Sequence, residues 1–258
     1  MMKSIKVLFQ SFPFYVITWK IKCKIFKIKI PQLLKWQQPF IGKNGIEIGG
    51  PSAIFNSSGY LPLYPIIGNL DGVNFSKKTE WEGEITEGEN YHFGNKTGHQ
   101  FIVEGGKLDN IENDKYDFLL SCNNLEHIAN PIATLLTWKR ILKEKGTLLL
   151  ILPNKIANFD HRRPYTLMNH LIEDYKNQID ETDLTHLEEI LKLHDLSRDP
   201  KARPFEKFKS RCKNNFTNRC IHHHVFDQPL LNELAIYCGY KVLRQYSSYS
   251  DHFILIEK

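Results

Sequence analysis

Short apolar segments alternate with polar or helix-like connections from about residue 45 to the end of the chain. This alternation predicts strands at about 45–49, 71–75, 100–104, 116–121, 147–152, 240–244 and 252–257. Strands separated by helices are typical of a parallel sheet covered by helices. The pattern therefore predicts an α/β fold with a doubly wound, seven-stranded sheet.

Two stretches predict helices. The first begins at Asn130-Pro131, a capping residue followed by proline at the first helical position, and runs to Lys143 before Gly146 stops it. The second covers residues 183–194. The apolar positions that we expect on their buried faces are Ile132, Leu135, Leu136 and Ile141 in the first helix and Leu184, Leu187, Ile190 and Leu191 in the second.

Three connections depart from a regular doubly wound pattern. Glycines and prolines between residues 52 and 71 predict that any helix there is short or broken. Residues 76–98 are glycine-rich with little periodicity and predict a long irregular connection, which in a compact domain is more often functional than accidental. Residues 154–228 form an insertion between the fifth strand and the last helix, where we expect substrate specificity to lie.

Charge is unevenly distributed. Residues 1–43 hold nine lysines and no acidic residue, whereas the remainder has 25 basic against 29 acidic residues. A basic arm on a mildly acidic body argues against a nucleic-acid-binding core, and it makes the arm the part that meets an acidic surface. We accordingly divide the chain into an N-terminal extension, 1–43, and a domain, 44–258.

The extension leaves two interpretations open. Its apolar and aromatic run at 7–19 is too short to span a bilayer, which needs about 20 residues, and residues 20–25 alternate as a strand does. Aromatic residues with lysines could dock on a membrane surface; alternatively, the extension packs on the domain. The five cysteines are odd in number and lack a CxxC spacing, so they predict neither a disulfide framework nor a zinc site, and a cytoplasmic location fits best.

The run at 45–52, Gly-Ile-Glu-Ile-Gly-Gly-Pro-Ser, places a glycine pair directly behind an apolar strand, as nucleotide binding requires. Read together with residues 116–121, 125–128 and 140–150, it resembles the Class I S-adenosylmethionine (SAM)-dependent methyltransferases. The resemblance implies a Rossmann-like sheet with an antiparallel last strand, and SAM as the cofactor. Pro51-Ser52 stands where that family usually has its third glycine.

The resemblance also implies which residues hold the cofactor. Glu47 would accept from the ammonium group, Asn74 occupies the usual place of the ribose-binding acid with Asp71 as a fallback, and residues 103–108 would contact adenine. The implied cofactor-binding residues are Glu47, Gly49, Gly50, Pro51, Asn74, Glu104, Leu108, Ser121, Asn123 and Leu125. For several of them an ordinary structural role is the competing interpretation.

Histidines and arginines supply the candidate chemistry. His127 and His161 are the catalytic candidates, because an imidazole titrates near working pH. Asp160, Arg162, Arg163 and His223 are the candidate acceptor-binding residues, since arginine suits bidentate contacts. Three consecutive histidines, 222–224, cannot all point one way, so this run predicts no metal site.

We therefore expect transfer of a methyl group to oxygen, or in second place nitrogen, of a small molecule or a sugar or glycolipid. The resemblance extends to bacterial proteins of surface-polysaccharide biosynthesis, which places the enzyme in the cytoplasm or at the inner face of the membrane, with residues 1–43 as the peripheral contact. One alternative is a catalytically degenerate module that binds a partner or membrane. An NAD-dependent enzyme is disfavoured, because the third glycine of GxGxxG and a following acid are lacking.

Overall fold

The computed structural model describes residues 30–258 and is built on one central sheet. Its strands are β1 Asn44–Ile48, β2 Asn69–Asn74, β5 Gly88–Phe93, β6 Lys96–Ile102, β7 Tyr116–Cys122, β8 Leu142–Pro153, β9 Lys241–Ser247 and β10 Asp251–Glu257. Two short strands, β3 Lys78–Thr79 and β4 Gly83–Glu84, form a separate hairpin. The predicted strands are all present.

The strand order in the sheet is β5-β6-β2-β1-β7-β8-β10-β9. Strands β6, β2, β1, β7 and β8 run parallel, whereas β10 is antiparallel to both of its neighbours. The chain order reverses direction between β1 and β7, which is the switch point of a doubly wound sheet. The predicted fold class, including the antiparallel last strand, is confirmed.

The sheet has eight strands rather than the predicted seven. Strand β5 lies antiparallel on the outer edge of β6, within the stretch predicted to be irregular. Its buried Tyr91 and Phe93 alternate with exposed residues, and Gly94-Asn95 forms the two-residue turn into β6. A Gly-Asn pair between alternating segments is a hairpin signal. The sequence therefore contains a local signal for β5, although this strand was not predicted.

The helices are short. They are α1 Pro31–Leu34, α2 Pro131–Ile141, α3 Met168–Lys176, α4 Leu187–Leu193, α5 Phe205–Lys213, α6 Asn215–Asn218 and α7 Gln228–Tyr237. Single 3-10 turns lie at Gln38–Phe40, Ala53–Phe55, Leu125–His127, Lys155–Ala157 and Pro200–Ala202. The one turn at Ala53–Phe55 agrees with the short or broken helix predicted after the glycine pair. No helix within residues 30–258 is both long and apolar enough to span a membrane.

Both predicted helices exist with different ends. Asn130 caps α2 by accepting from Ala133 N at 3.1 Å, as predicted, but α2 ends at Ile141 because β8 begins with the next residue. Leu136 is exposed rather than buried, and Trp138 takes the buried position. The predicted start of the second helix is wrong. Residues 183–186 precede α4, and Leu184 is exposed instead of buried.

Each face of the sheet carries its own apolar core. One core lies beneath α2, α3 and α7. The other contains residues from 53–67 together with Ile30, Leu33, Trp36 and Phe40, all buried. Residues 30–40 of the predicted extension thus pack against the domain, while the aromatic run at 7–19 and the strand predicted at 20–25 lie outside the described residues. Within the 154–228 insertion, a small separate cluster forms around Phe208 and Ile221.

Candidate functional site

A large cavity of about 1420 Å³ opens over the carboxyl ends of β1, β2, β7 and β8. This is the switch point, where open α/β sheets bind their ligands. The insertion and the β3–β4 hairpin supply the remaining walls. Of the predicted site residues, the cavity is lined by Gly49, Pro51, Asn74, Glu104, Asn123 and His127.

Gly49 makes the turn at the end of β1. Its φ is +77°, and a Cβ at this position would lie 2.6 Å from Asn124 Nδ2. Its N–H donates to Val73 O at 2.9 Å, which holds the turn against β2. Glycine is therefore required here both by the left-handed backbone and by the close approach of the next cavity wall.

Glu47 and Gly50, both predicted to bind the cofactor directly or through water, do not line the cavity and have structural contacts. The Glu47 carboxylate is fully buried and accepts from Tyr64 Oη at 2.6 Å and from Tyr91 Oη at 2.8 Å. Burial raises its pKa despite these hydrogen bonds and that from Ser52. A Cβ on Gly50 would lie 2.3 Å from Glu47 Cδ. Because Gly50 has no side chain, it leaves room for the buried Glu47 carboxylate and the two tyrosines bonded to it, which pack against the glycine turn.

Asn74 lies at the end of β2 and lines the cavity. Its Nδ2 donates to Gly50 O at 3.3 Å, so it also ties the glycine turn to β2. The fallback residue Asp71 lies earlier in the strand, away from the cavity, where Tyr116 Oη donates to it at 2.7 Å. Asp71 therefore does not reach the cavity in this arrangement of the loops.

On the far side of the cavity, Glu104 follows β6 and accepts from Arg219 Nη2 at 2.7 Å. Arg219 also pairs with Glu181 at 3.0 Å, so it bridges the β6 loop to the insertion. Leu108, one of the implied cofactor-binding residues, is fully buried in the core and does not line the cavity, which agrees with the competing structural interpretation.

The segment after β7 contributes its asparagines to the cavity, whereas the predicted residues Ser121 and Leu125 are buried and do not line it. Asn123 is exposed, with a φ of +49°. Asn124 Oδ1 is buried at the cavity wall and has no hydrogen-bond partner among the described residues. A buried acceptor without a donor is costly, so this oxygen marks a point where a ligand donor would be stabilised.

His127, one of the two catalytic candidates, lines the cavity. Its Nδ1 donates to Ile221 O at 2.9 Å, which leaves Nε2 as the acceptor of a neutral ring. Burial and the nearby His222 hold its pKa well below the ordinary value. The Trp81 ring, 55% exposed on the β3–β4 hairpin, contacts it edge-on with centroids 5.2 Å apart.

His222 lies beside His127 and was not among the predicted site residues. Its Nδ1 donates to Asp160 Oδ2 and its ring centroid is 4.5 Å from that of His127. Burial lowers the pKa of His222, but the charge of Asp160, its hydrogen bond and the charge of Glu126 together raise it, and the net shift is upward. A carboxylate that fixes one imidazole nitrogen presents the other as a proton acceptor, as in hydrolase triads.

Glu126 completes this group on the cavity wall. It is 2% exposed, its Oε2 has no hydrogen-bond partner among the described residues, and burial raises its pKa to about 7. Glu126, His127 and His222 each offer a ligand atom within 4.8 Å of the others. The group can therefore exchange protons with a bound molecule, and its atoms also suit a cation.

The shifted pKa of Glu126 makes stability depend on pH. Because the folded-state pKa of about 7 lies above the ordinary value of 4.5, the native state holds the proton more tightly, and stability falls as pH rises from about 4.5 until the native group is deprotonated above 7. We expect Glu126→Gln to match the parent near pH 4.5 and to be more stable by about 3 kcal/mol at pH 8. Urea unfolding at both pH values measures this; an equal difference at both would contradict it.

The other predicted catalytic and acceptor-binding residues lie off the cavity lining. His161 Nε2 pairs with Asp195 at 2.9 Å, and Arg162, on the same aspartate, is exposed. Asp160 and Arg163 are buried together and bonded at 3.1 Å. His223 is 1% exposed, with Asn215 Nδ2 at 3.2 Å from its Nε2. None of these predicted residues lines the cavity, and their catalytic and acceptor-binding roles stay predictions. Asp160 reaches the cavity group through its hydrogen bond with His222.

The cationic side chains that do reach the cavity were missed. They come from α5 and its neighbours and are Lys201, Lys207, Arg211 and Arg219. Arg211 is paired with Asp199 at 3.0 Å, whereas Lys201 and Lys207 are exposed at the rim. In the sequence these four residues lie in ordinary charged segments. Only their positions in the folded chain identify them as cavity residues.

No protein-family model matches this sequence, and no match is found among curated proteins. Similar solved structures include a SAM-dependent methyltransferase from Aquifex aeolicus, with a TM-score of 0.45 and 12% identity over 98% of this chain and 96% of that one. Another is a SAM-dependent methyltransferase from Mesorhizobium loti, with a TM-score of 0.48 and 11% identity over 88% of this chain and 96% of that one. Identities of this order carry no information about substrate.

Proposed function

We propose that this protein is a SAM-dependent methyltransferase that transfers a methyl group to a hydroxyl oxygen, with nitrogen as the second choice, of a small molecule or glycan. The observation that carries the proposal is the large cavity at the switch point, whose lining includes the glycine turn at Gly49 and the group formed by Glu126, His127 and His222. Its volume of about 1420 Å³ exceeds the roughly 300–1,000 Å³ of ordinary ligand pockets. A cofactor and an acceptor would fit side by side.

The residues present fit the cofactor. Gly49 lets the backbone approach a ligand closely, and Asn74 and Glu104 offer side-chain oxygens near the ends of β2 and β6. The orphaned Oδ1 of Asn124 suits the ammonium group of the methionine moiety, the role predicted for Glu47. When bound, SAM supplies a methyl group already activated by its sulfonium.

The chain's own residues would position the acceptor and hold its proton. Asp160 fixes Nδ1–H of His222, so that Nε2 of His222 accepts the proton of an acceptor hydroxyl. His127, kept neutral, orients the acceptor through its own Nε2. Positioning supplies much of the acceleration of such an in-line displacement.

The cavity rim supports a glycan or glycolipid acceptor. The exposed Trp81 offers an apolar face with a polar edge, which suits a sugar ring. Lys201 and Lys207 at the same rim would attract an anionic acceptor such as a phosphorylated sugar. This acceptor class agrees with a role in bacterial surface-polysaccharide synthesis in the cytoplasm, with residues 1–43 contacting the inner face of the membrane.

We expect Gly49→Ala to weaken SAM binding by about tenfold or more, which is about 1.4 kcal/mol. The new Cβ would push Asn124 Nδ2, 2.6 Å away, out of the cavity wall. Gly42→Ala is the matched control, because Gly42 also has a positive φ of +68° but no atom within 4 Å of the added Cβ. Both variants therefore carry similar backbone strain, and only one alters the cavity.

Isothermal titration calorimetry with SAM measures both variants and the parent. Equal affinity in the Gly49 variant and the parent would refute the cofactor position. A parent that binds no SAM at millimolar concentration would support the degenerate binding module instead, for which Asn74 in place of an acid is the favouring observation. Release of S-adenosylhomocysteine in the presence of sugar nucleotides and phosphorylated sugars then tests the acceptor class.

A further inference from the structure

A second histidine cluster lies outside the cavity lining, on the insertion. His170 and Asp174 occupy successive turns of one face of α3, His186 directly precedes α4, and His224 lies in the segment between α6 and α7. None of these four residues lines the cavity. The proposed methyl transfer therefore makes no use of them.

Their polar atoms converge on one point. His170 Nε2 lies 3.1 Å from His186 Nε2 and 3.4 Å from Asp174 Oδ2, and His224 Nε2 lies 3.7 Å from the same Asp174 Oδ2. The ligand atoms of the three histidines all lie within 4.8 Å of one another. Four donors bonded tetrahedrally to zinc at about 2.0–2.1 Å are separated by about 3.3–3.4 Å. The three contacts bracket that separation.

Hydrogen bonds within the cluster leave it incompletely satisfied. Only one of two facing Nε2 atoms can donate to the other, and Asp174 Oδ2 has no hydrogen-bond partner among the described residues although Asp174 is only 8% exposed. His224 is 1% exposed, and its Nε2 lies 3.2 Å from Ala129 O, its alternative partner without a metal. A cation would satisfy the Asp174 oxygen and all three nitrogens at once.

The geometry points to a tetrahedral zinc site formed by His170, Asp174, His186 and His224. Three imidazoles and one carboxylate are donors typical of zinc, whereas calcium and magnesium prefer oxygen ligands alone. Because all four positions are filled by the protein, the site is structural. It joins α3 to the loop before α4 and to the segment that carries His222, so it holds the insertion in the form that builds one wall of the cavity.

Metal analysis of the full chain, purified without a polyhistidine tag, tests this site. After loading with zinc and removal of the excess, we expect one zinc ion per chain in the parent and its loss in His186→Ala. Thermal unfolding of the metal-free parent should shift upward on zinc addition, and that of His186→Ala should not. Cobalt in place of zinc should give the visible spectrum of a tetrahedral complex.

Two further variants keep the test decisive. His127→Ala changes a histidine of the cavity group and should retain the zinc of the insertion, so loss of zinc in His127→Ala with retention in His186→Ala would overturn the proposal. His186→Cys keeps a zinc ligand at the same position and should restore binding if His186→Ala fails to fold. A folded His186→Cys that binds no zinc, or a parent that takes up none, would equally overturn the site.

Discussion

Replacing His222 with alanine is expected to lower turnover by about 100- to 10,000-fold, the usual contribution of a general base. SAM affinity should change little, because the proposed cofactor contacts are made by Gly49, Asn74 and Asn124 and not by His222. His222 Nε2 has no hydrogen bond to the described residues, and the pKa of His222 lies above its ordinary value, whereas the pKa of His127 lies well below. Of the two neighbouring rings, His222 is therefore the stronger base.

The role of Asp160 gives this prediction a second measurement. Its carboxylate raises the pKa of His222, so Asp160→Asn should lower that pKa and move the acid limb of the pH–rate profile to lower pH while the rate falls. His92→Ala, on the exposed face of β5, is the control and should keep the parent rate. An equal loss of turnover in His161→Ala and His222→Ala would instead support His161 as a catalytic residue, as predicted from the sequence.

Replacing Arg163 with methionine should lower the free energy of unfolding by about 3–5 kcal/mol, as expected when one partner of a buried ion pair is removed. Arg163 is 2% exposed and donates to Asp160 at 3.1 Å, to Glu189 at 2.7 Å and to His222 O at 2.9 Å. Although burial alone raises the pKa of Asp160, His222 and Arg163 hold it far below its ordinary value. The variant would leave this buried carboxylate poorly compensated.

The adjacent Arg162 provides the matched control. Its side chain is 54% exposed and touches Asp195 at 3.2 Å, so Arg162→Met should cost at most about 1 kcal/mol. Urea unfolding of the two variants, measured at the same pH, separates them. Similar losses at the two positions would show that the Arg163 network contributes no more than a surface ion pair.

The fold was largely predictable because its signals are local. The apolar runs that became strands, and the Asn130-Pro131 start of α2, each depend on residues a few positions apart. Strand β5 was missed because its alternation covers only Tyr91 and Phe93, which is too short for a periodicity test. The turn at Gly94-Asn95 was the stronger signal.

The site was predictable only in part. Gly49, Asn74 and His127 reach the cavity because the ends of parallel strands meet at one edge of the sheet. The environments of Glu47 and Arg163 depend on residues distant in sequence: Glu47 is buried by tyrosines 17 and 44 positions away. Arg162 and Arg163 are adjacent and chemically identical, yet only one is buried, and no local pattern distinguishes them.

Tyr91 connects the edge strand β5 to Glu47 on β1, near the centre of the sheet. Its ring passes beneath β2, where a Cβ on Gly72 would lie 2.0 Å from it, and its hydroxyl reaches Glu47 on β1. A one-residue slip of β5 against β6 would turn Tyr91 to solvent and leave Glu47 with one donor fewer. Since Gly94-Asn95 sets the register of these two strands, an insertion in that hairpin would disturb the cofactor turn from across the sheet.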